Sequence, residues 1–141
     1  MAAITTEEFK RLAVDHLPFM DLMNVEAEAI EKEYAVLRAN CDEKSLRPGG
    51  TVAGPVMMGL ADAAFYAIVL ANIGMVSLAV TTNLTINFLR KPGPGDVYCR
   101  ATLLKLGKRL AVCEGLIYTK ELGIDEPVAH VTGTYSIPPS N

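Results

Sequence analysis

Tryptophan is absent from this 141-residue sequence, aromatic residues make up only 6% of it, and the 13 basic residues are outnumbered by 16 acidic ones. Proteins that bind nucleic acid usually present a basic surface, and many add aromatic side chains on which the bases stack. The composition therefore disfavours a nucleic acid as the partner of this protein.

Cysteine and histidine are scarce as well. The three cysteines, Cys41, Cys99 and Cys113, are odd in number and contain no Cys-x-x-Cys pair, while His16 and His130 lie far apart in sequence. Such a set predicts neither a disulfide framework nor a zinc site, so we expect no metal, no cofactor and a structural His130. Free thiols, together with a start that lacks an export signal, predict a cytoplasmic location.

Charged residues are missing from a long internal segment. Asp62 is the only charged residue between Arg47 and Arg90. An ionised carboxylate is costly to move out of water, so a carboxylate kept in an apolar segment is paired, protonated, in a wet cleft or used for chemistry. Asp62 is therefore the first candidate for a functional residue.

The same apolar segment must be weighed as a membrane span. Residues 52–73 contain one charge, and a helix of that length could cross a bilayer of about 30 Å. However, Asp62 would lie near the bilayer centre, Gly54, Pro55 and Gly59 crowd the first half, and no basic cluster flanks either end. We therefore expect a helix buried by a sheet, and no membrane partner.

The length and the 50% hydrophobic content predict one compact domain over residues 1–141. Its first 24 residues are expected to hold a helix over 5–14, capped by a threonine, and a connection. Residues 25–39 alternate in polarity and are predicted to form a strand, although their Glu and Ala content also favours a helix. A polar loop follows over 40–50, and residues 138–141 are expected to be a tail.

The apolar helix is expected to begin with Gly54 as N-cap and Pro55 in the first turn, and to end near residues 72–74. Four strands separated by turn residues are predicted to follow, over 76–89, 97–106, 109–120 and 128–137. Consecutive strands of this kind predict an antiparallel meander. A single sheet can hide an apolar helix on most sides only if it curls around it.

Four strings in this order carry a family resemblance: GPVMMGLADAAFYA, AVTTNLTINFLRKPGPGD, LLKLGKRLAVCEGLIY and HVTGTYSIPP. Over residues 47–138 the sequence resembles the hot-dog thioesterases of the PaaI-like, phenylacetate-degradation family. The resemblance implies an α+β hot-dog fold, in which a curled antiparallel sheet wraps around one long apolar helix. It also implies hydrolysis of acyl-CoA thioesters.

The resemblance also implies site residues. In the family the helix opens with His-Gly-Gly, the first glycine N–H polarises the thioester carbonyl, and an acid further along the helix drives hydrolysis. Asp62 stands at the acid position and Gly54 at the first glycine, but Ala53 replaces the histidine and Pro55 the second glycine. Thr81 matches the strand hydroxyl that lies near the acid, which we expect to come from the facing subunit.

Elementary chemistry supports the same assignment. Free N–H groups at a helix N-terminus suit a developing oxyanion, and Gly54 would allow close approach. A carboxylate two turns further on is expected to reach a substrate held at that terminus. It can act as general base toward water or as nucleophile toward the acyl carbon, and the sequence leaves both roles open.

Substrate binding is expected from cations and from apolar side chains. The phosphates of coenzyme A need cations, and the candidates lie beside two turns: Arg90, Lys108 and Arg109, with Lys91 and Lys105. Met58 is the first candidate for an acyl pocket, with Met57, Phe65 and Tyr66. Core packing is the expected role of at least two of these four.

Two other functions stay open. A non-catalytic acyl-CoA or lipid-binding hot-dog protein is favoured by Ala53 in place of the histidine. A hot-dog dehydratase or hydratase would need a histidine beside Asp62, and none accompanies it in the sequence. A single chain would leave the strand at 76–89 with an exposed edge and half a site, so we expect a homodimer or homotetramer.

Overall fold

The computed structural model describes residues 1–139, so Ser140 and Asn141 of the expected tail lie outside the described part of the chain. The elements follow one another as α1 (Thr6–His16), α2 (Pro18–Leu22), β1 (Val25–Ile30), β2 (Ala35–Ala39), a 3-10 turn (Glu43–Ser45), β3 (Leu46–Arg47), β4 (Thr51–Val52), α3 (Gly54–Ile73), β5 (Val80–Phe88), β6 (Val97–Leu106), β7 (Leu110–Tyr118) and β8 (Ala129–Ser136).

Six strands form one antiparallel sheet in the order β1-β2-β6-β7-β8-β5, which leaves β1 and β5 at its edges. The short strands β3 and β4 pair with each other just before α3. The sheet curls around α3, whose residues from 63 to 71 are all buried. This is the α+β hot-dog architecture predicted from the sequence.

The helix is covered as expected for a core element. It is long and apolar enough to cross a membrane, but 67% of its apolar window is buried by the rest of the protein. Phe65 is fully buried, and its ring lies against two strand glycines, Gly115 and Gly133. Because neither glycine has a side chain, the strands can approach the helix closely at this point.

The structure confirms the position of the predicted N-terminal helix and its threonine N-cap. The Thr5 hydroxyl accepts a hydrogen bond from the Glu8 N–H at 3.0 Å, and the Glu8 carboxylate accepts one from the Thr5 N–H at 2.9 Å. This reciprocal capping box fixes the start of α1. The second helix, α2, lies in the stretch expected to be a connection, where Pro18 occupies its first turn.

Two predictions about strands need correction. Residues 25–39 form two paired strands, β1 and β2, because the charged turn at 31–34 interrupts the alternation; the helix alternative is wrong. The four later strands do not form one meander. Only β6, β7 and β8 do, since β5 pairs with β8 and β2 takes the place beside β6. Neighbours in a sheet depend on how the whole sheet closes over the helix, which local patterns do not encode.

The start of α3 also differs by one position. Ala53 is the N-cap residue, in an extended conformation and without a side-chain hydrogen bond, and Gly54 is the first helical residue. Pro55 therefore occupies the second helical position, where its missing N–H still costs nothing.

Candidate active site

The carboxylate of Asp62 lies between α3 and the paired strands β5 and β8. Thr81 and Tyr135 face each other in the register of those strands. The Thr81 hydroxyl donates to Asp62 Oδ1 at 2.5 Å, and the Tyr135 hydroxyl lies 2.8 Å from the same oxygen. The Tyr135 oxygen is also 2.9 Å from the Asp62 carbonyl oxygen, so its one proton is shared between two acceptors.

The two oxygens of this carboxylate have different surroundings. Oδ1 is held by two hydroxyl groups, whereas Oδ2 has no hydrogen-bond partner among residues 1–139. The one buried side-chain polar atom without a partner in that part of the chain is Arg38 Nε, so Oδ2 is not buried. One oxygen is therefore fixed, and the other is free to meet water or a substrate.

The hydroxyl of Thr81 comes from the same chain as Asp62, which corrects the expectation that it would come from a facing subunit. Tyr135 was missed by sequence reasoning. It is 3% exposed, and burial, followed by the negative charge of Asp62, raises the pKa of its hydroxyl. Tyr135 therefore stays protonated as a donor. A tyrosine at an inward position of the last strand, two residues after Gly133, was the available signal.

A cavity of about 260 Å³ opens beside Asp62. Its wall is built by the N-terminal helices, by α3 and by the approach to β5, from Leu17, Phe19, Met20, Met23, Gly59, Asp62, Ala63, Tyr66, Ser77, Ala79, Val80, Thr81 and Tyr135. Of the four residues considered for an acyl pocket, Tyr66 alone lines this cavity. Met57 and Phe65 are buried in the core, as expected for two of the four.

Met58 does not line the cavity and is 41% exposed. It lies between Gly54 and Asp62 on the accessible stripe of α3, because positions four apart share a helix face. Its part in substrate binding stays a prediction.

Gly54 is separated from the Asp62 carboxylate. The two residues are eight positions apart in one helix, which corresponds to about 12 Å along its axis. The Gly54 N–H has no hydrogen-bond partner among the described residues, and a Cβ at Gly54 would lie 3.2 Å from the Phe88 ring. The donor is free, but a single chain does not bring it to the same atoms as Asp62.

The predicted cations are divided as well. Arg90 follows the Phe88 end of β5 and donates to the Pro127 carbonyl oxygen at 2.7 Å. Lys108 and Arg109 lie in the β6–β7 turn. Because β7 pairs with β8 and β8 pairs with β5, this turn lies at the same end of the sheet as Val80. The length of β5, about 26 Å, therefore separates Arg90 from the other two.

The remaining candidates carry no chemistry at this site. Among residues 1–139 there is no group of three or more side chains that could hold a metal ion. His130 is paired with Glu114 at 2.9 Å, away from the cavity. Burial raises the pKa of Cys99 and of Cys113 to about 12, so both thiols stay protonated and unreactive.

A sequence profile of the thioesterase superfamily matches residues 49–124, which include Gly54, Asp62, Thr81 and the three cations. The chain belongs to this superfamily. A curated relative is a provisionally assigned esterase of Saccharolobus solfataricus, 34% identical over 95 residues. That match covers 67% of this chain, and the chain spans 62% of that relative.

Solved structures of thioesterases share the fold. A provisionally assigned thioesterase from Silicibacter sp. TM1040 is 41% identical, with a TM-score of 0.86, and the alignment covers 99% of this chain and 95% of that one. The phenylacetic acid degradation protein PaaI from Thermus thermophilus is 25% identical, with a TM-score of 0.74, over 86% of this chain and 99% of that one. The PaaI-like hot-dog resemblance is confirmed.

Proposed function

We propose that this member of the thioesterase superfamily hydrolyses acyl-CoA thioesters, with Asp62 as the acid that drives the reaction and the Gly54 N–H as oxyanion donor. One observation carries the proposal. The Asp62 carboxylate stands at an apolar cavity with Oδ1 fixed by two hydroxyls and Oδ2 free. A structural carboxylate would have both oxygens engaged in bonds that hold the fold.

The free oxygen can serve in two ways. As a general base, Oδ2 takes a proton from water while the water oxygen attacks the acyl carbon and the thiolate of coenzyme A leaves. As a nucleophile, Oδ2 attacks the acyl carbon itself, the thiolate of coenzyme A leaves, and the resulting anhydride is hydrolysed by water, which releases the acid and regenerates Asp62. Thr81 and Tyr135 hold the carboxylate in either case, and the geometry supports both equally.

The proposed site needs two chains. β5 is an edge strand whose outer side is unpaired within residues 1–139, and Val80 and Phe88 at its ends are 57% and 52% exposed. Thr81 marks the Asp62 end of β5 and Phe88 marks the Gly54 end. If β5 pairs with its copy about a two-fold axis through the strand centre, the Gly54 end of one chain meets the Asp62 end of the other.

The same two-fold axis would bring the three predicted cations close together. Arg90 of one chain would lie beside the β6–β7 turn of its partner, with Lys108 and Arg109. Three cations at the mouth of one site suit the phosphates of coenzyme A. We therefore include a homodimer, or a tetramer built from such dimers, in the proposed function. Because the buried cysteines are free thiols, we also propose a cytoplasmic location.

The test replaces Asp62 by Asn, which keeps the size of the side chain but removes its charge and basicity. Hydrolysis of acyl-CoA, followed with a thiol-trapping dye, is expected to fall by at least about 100-fold. The melting temperature is expected to stay or rise, because a carboxylate kept for chemistry is a burden on stability. Asp125→Asn, at an exposed turn, is the matched control and should retain full activity.

A fully active Asp62→Asn protein with a lowered melting temperature would reject the catalytic assignment. It would favour the second candidate, a non-catalytic acyl-CoA or lipid-binding protein. That candidate is supported by Ala53, which offers no polar side chain at the start of α3 where the family has a histidine. A dehydratase or hydratase is not supported, because no histidine lines the cavity.

A further inference from the structure

The wall of the cavity beside Asp62 has few free polar groups that could bind a ligand. The Tyr66 hydroxyl donates to the Ser77 carbonyl oxygen at 2.9 Å, and the Tyr135 hydroxyl is engaged with Asp62. No lysine, arginine or histidine is among the lining residues, so Asp62 supplies the one charge there. An acyl group that carries its own carboxylate would meet a like charge and no cation, and such groups are excluded.

The cavity is also limited in size. Its volume is about 260 Å³, whereas a closed apolar cavity of about 150 Å³ accommodates benzene. The space therefore suits an apolar group of about six to ten carbons. A saturated chain of about sixteen carbons would extend past the wall.

Met23 lines the cavity and packs over α3. Its thioether lies directly on Gly59, where an added Cβ would overlap the Met23 sulfur. Gly59 precedes Asp62 by three positions and shares its helix face, so the sulfur sits one turn from the carboxylate. The absence of a side chain at Gly59 is what lets Met23 occupy this place.

The backbone that carries Met23 is fixed. The next residue, Asn24, has a positive φ of 59°, and its carbonyl oxygen accepts from the Asn40 N–H at 2.9 Å. The Asn24 side chain donates to the Asn40 carbonyl oxygen, also at 2.9 Å. The turn is thereby tied to the end of β2, and only the flexible thioether can adapt to a ligand.

We propose that this cavity selects apolar, uncharged acyl groups of medium length, and that Met23, seated on Gly59, sets the length limit. The kinetic test of this inference rests on the proposed function, because it requires thioester hydrolysis. The binding test does not require hydrolysis.

The kinetic test compares butyryl-, octanoyl-, palmitoyl- and succinyl-CoA. The wild-type protein is expected to show a kcat/KM for octanoyl-CoA at least about ten-fold above those for palmitoyl- and succinyl-CoA. Met23→Ala should raise the palmitoyl to octanoyl ratio by about ten-fold. Gly59→Ala should push the thioether into the cavity and shift preference toward butyryl-CoA.

Leu22→Ala is the control, because Leu22 adjoins Met23 but is 79% exposed and does not line the cavity. It should keep the wild-type profile. An unchanged profile in Met23→Ala, or efficient hydrolysis of succinyl-CoA, would overturn the inference. If Gly59→Ala does not fold, the Met23→Ala result alone decides the test.

If no thioester is hydrolysed, the proposed function fails and binding decides the inference. Calorimetric titration of the wild-type protein should then show tighter binding of octanoyl-CoA than of palmitoyl-CoA, with the difference reduced in Met23→Ala. Equal binding of the two ligands, or an unchanged difference in the variant, would reject the selection by Met23.

Discussion

One carboxylate oxygen of Asp62 on α3 lies within hydrogen-bond distance of two hydroxyl groups, which come from the neighbouring strands β5 and β8. Thr81 stands at a half-exposed strand position, whereas Tyr135 is buried and can donate only toward the helix. Together the two hydroxyls hold the side-chain direction of Asp62. A fixed carboxylate matters for catalysis because small displacements of a reacting group cost much of the rate.

Replacing Tyr135 by Phe removes one donor to Asp62 and leaves the ring in place. We expect kcat for acyl-CoA hydrolysis to fall by about 10- to 100-fold with little change in KM, because the tyrosine positions the acid and does not bind the thioester. Steady-state kinetics with octanoyl-CoA measure the split. If the tyrosine only supports the fold, the melting temperature should fall while kcat per folded molecule stays constant.

Among the elements, the contact between α3 and the sheet depends on strand residues without side chains. A Cβ at Gly133 would lie 2.8 Å from the Phe65 ring and 3.0 Å from the Asn83 carbonyl oxygen. The nearest obstacles are thus a fully buried ring and the backbone of the adjacent strand, neither of which can move freely. The curl of the sheet over the helix is set by this close approach.

Gly133→Ala is therefore expected to lower the free energy of unfolding by about 1–3 kcal/mol through overpacking. Denaturant unfolding monitored by circular dichroism checks this value. Gly93→Ala is the matched control, since nothing lies within 4 Å of its Cβ position, and its stability should change by no more than about 0.5 kcal/mol. Equal stability of the two variants would show that the sheet can yield at this point.

For the whole molecule, the main consequence of the fold is that the groups of the proposed site lie at opposite ends of β5. Asp62 and the β6–β7 turn lie at one end, and Gly54 and Arg90 lie at the other. Pairing of two edge strands about a two-fold axis would create two complete sites and cover both exposed edges.

A mixture of two inactive variants tests this shared site. Asp62→Asn removes the acid, and Gly54→Pro removes the N–H donor. After co-refolding in equal amounts, half of the dimers should be mixed, and each mixed dimer should hold one intact site. The mixture is therefore expected to recover about one quarter of the wild-type activity.

Each variant refolded alone supplies the background rate, and light scattering must show a dimer or larger assembly. A mixture that stays as inactive as its components would place both groups in one chain. A monomeric mass at micromolar concentration would remove the two-chain site altogether.

The proposed cation cluster is also a property of the whole molecule, because only an assembled dimer would bring Arg90 near Lys108 and Arg109. Arg90→Ala is expected to raise KM for acyl-CoA by about ten-fold and to change kcat little, since a phosphate contact is equally strong in the ground and transition states. Added salt should mimic the effect. Arg11→Ala, in the exposed part of α1, is the control.

An unchanged KM in Arg90→Ala, with a lowered melting temperature, would assign Arg90 to its hydrogen bond with the Pro127 carbonyl oxygen. If Lys108→Ala and Arg109→Ala also left KM unchanged, the cluster would be ordinary solvated surface.

The sequence by itself determined the core helix, the extent of most strands and the place of Asp62, because each depends on local patterns. A run without charges marks a buried helix, alternation marks a strand, and one carboxylate in an apolar run is exceptional. The threonine N-cap of α1 was also predicted from the sequence. The family resemblance then supplied Gly54 and Thr81 as candidates.

Only the tertiary structure decided which strands are neighbours, which hydroxyls reach Asp62 and where the cavity lies. Tyr135 is 73 positions from Asp62 in sequence and meets it because β8 passes over the helix beside β5. The separation of Arg90 from Lys108 likewise follows from the register of the sheet. Contacts between distant segments depend on how the whole sheet closes around α3, and no local pattern records that closure.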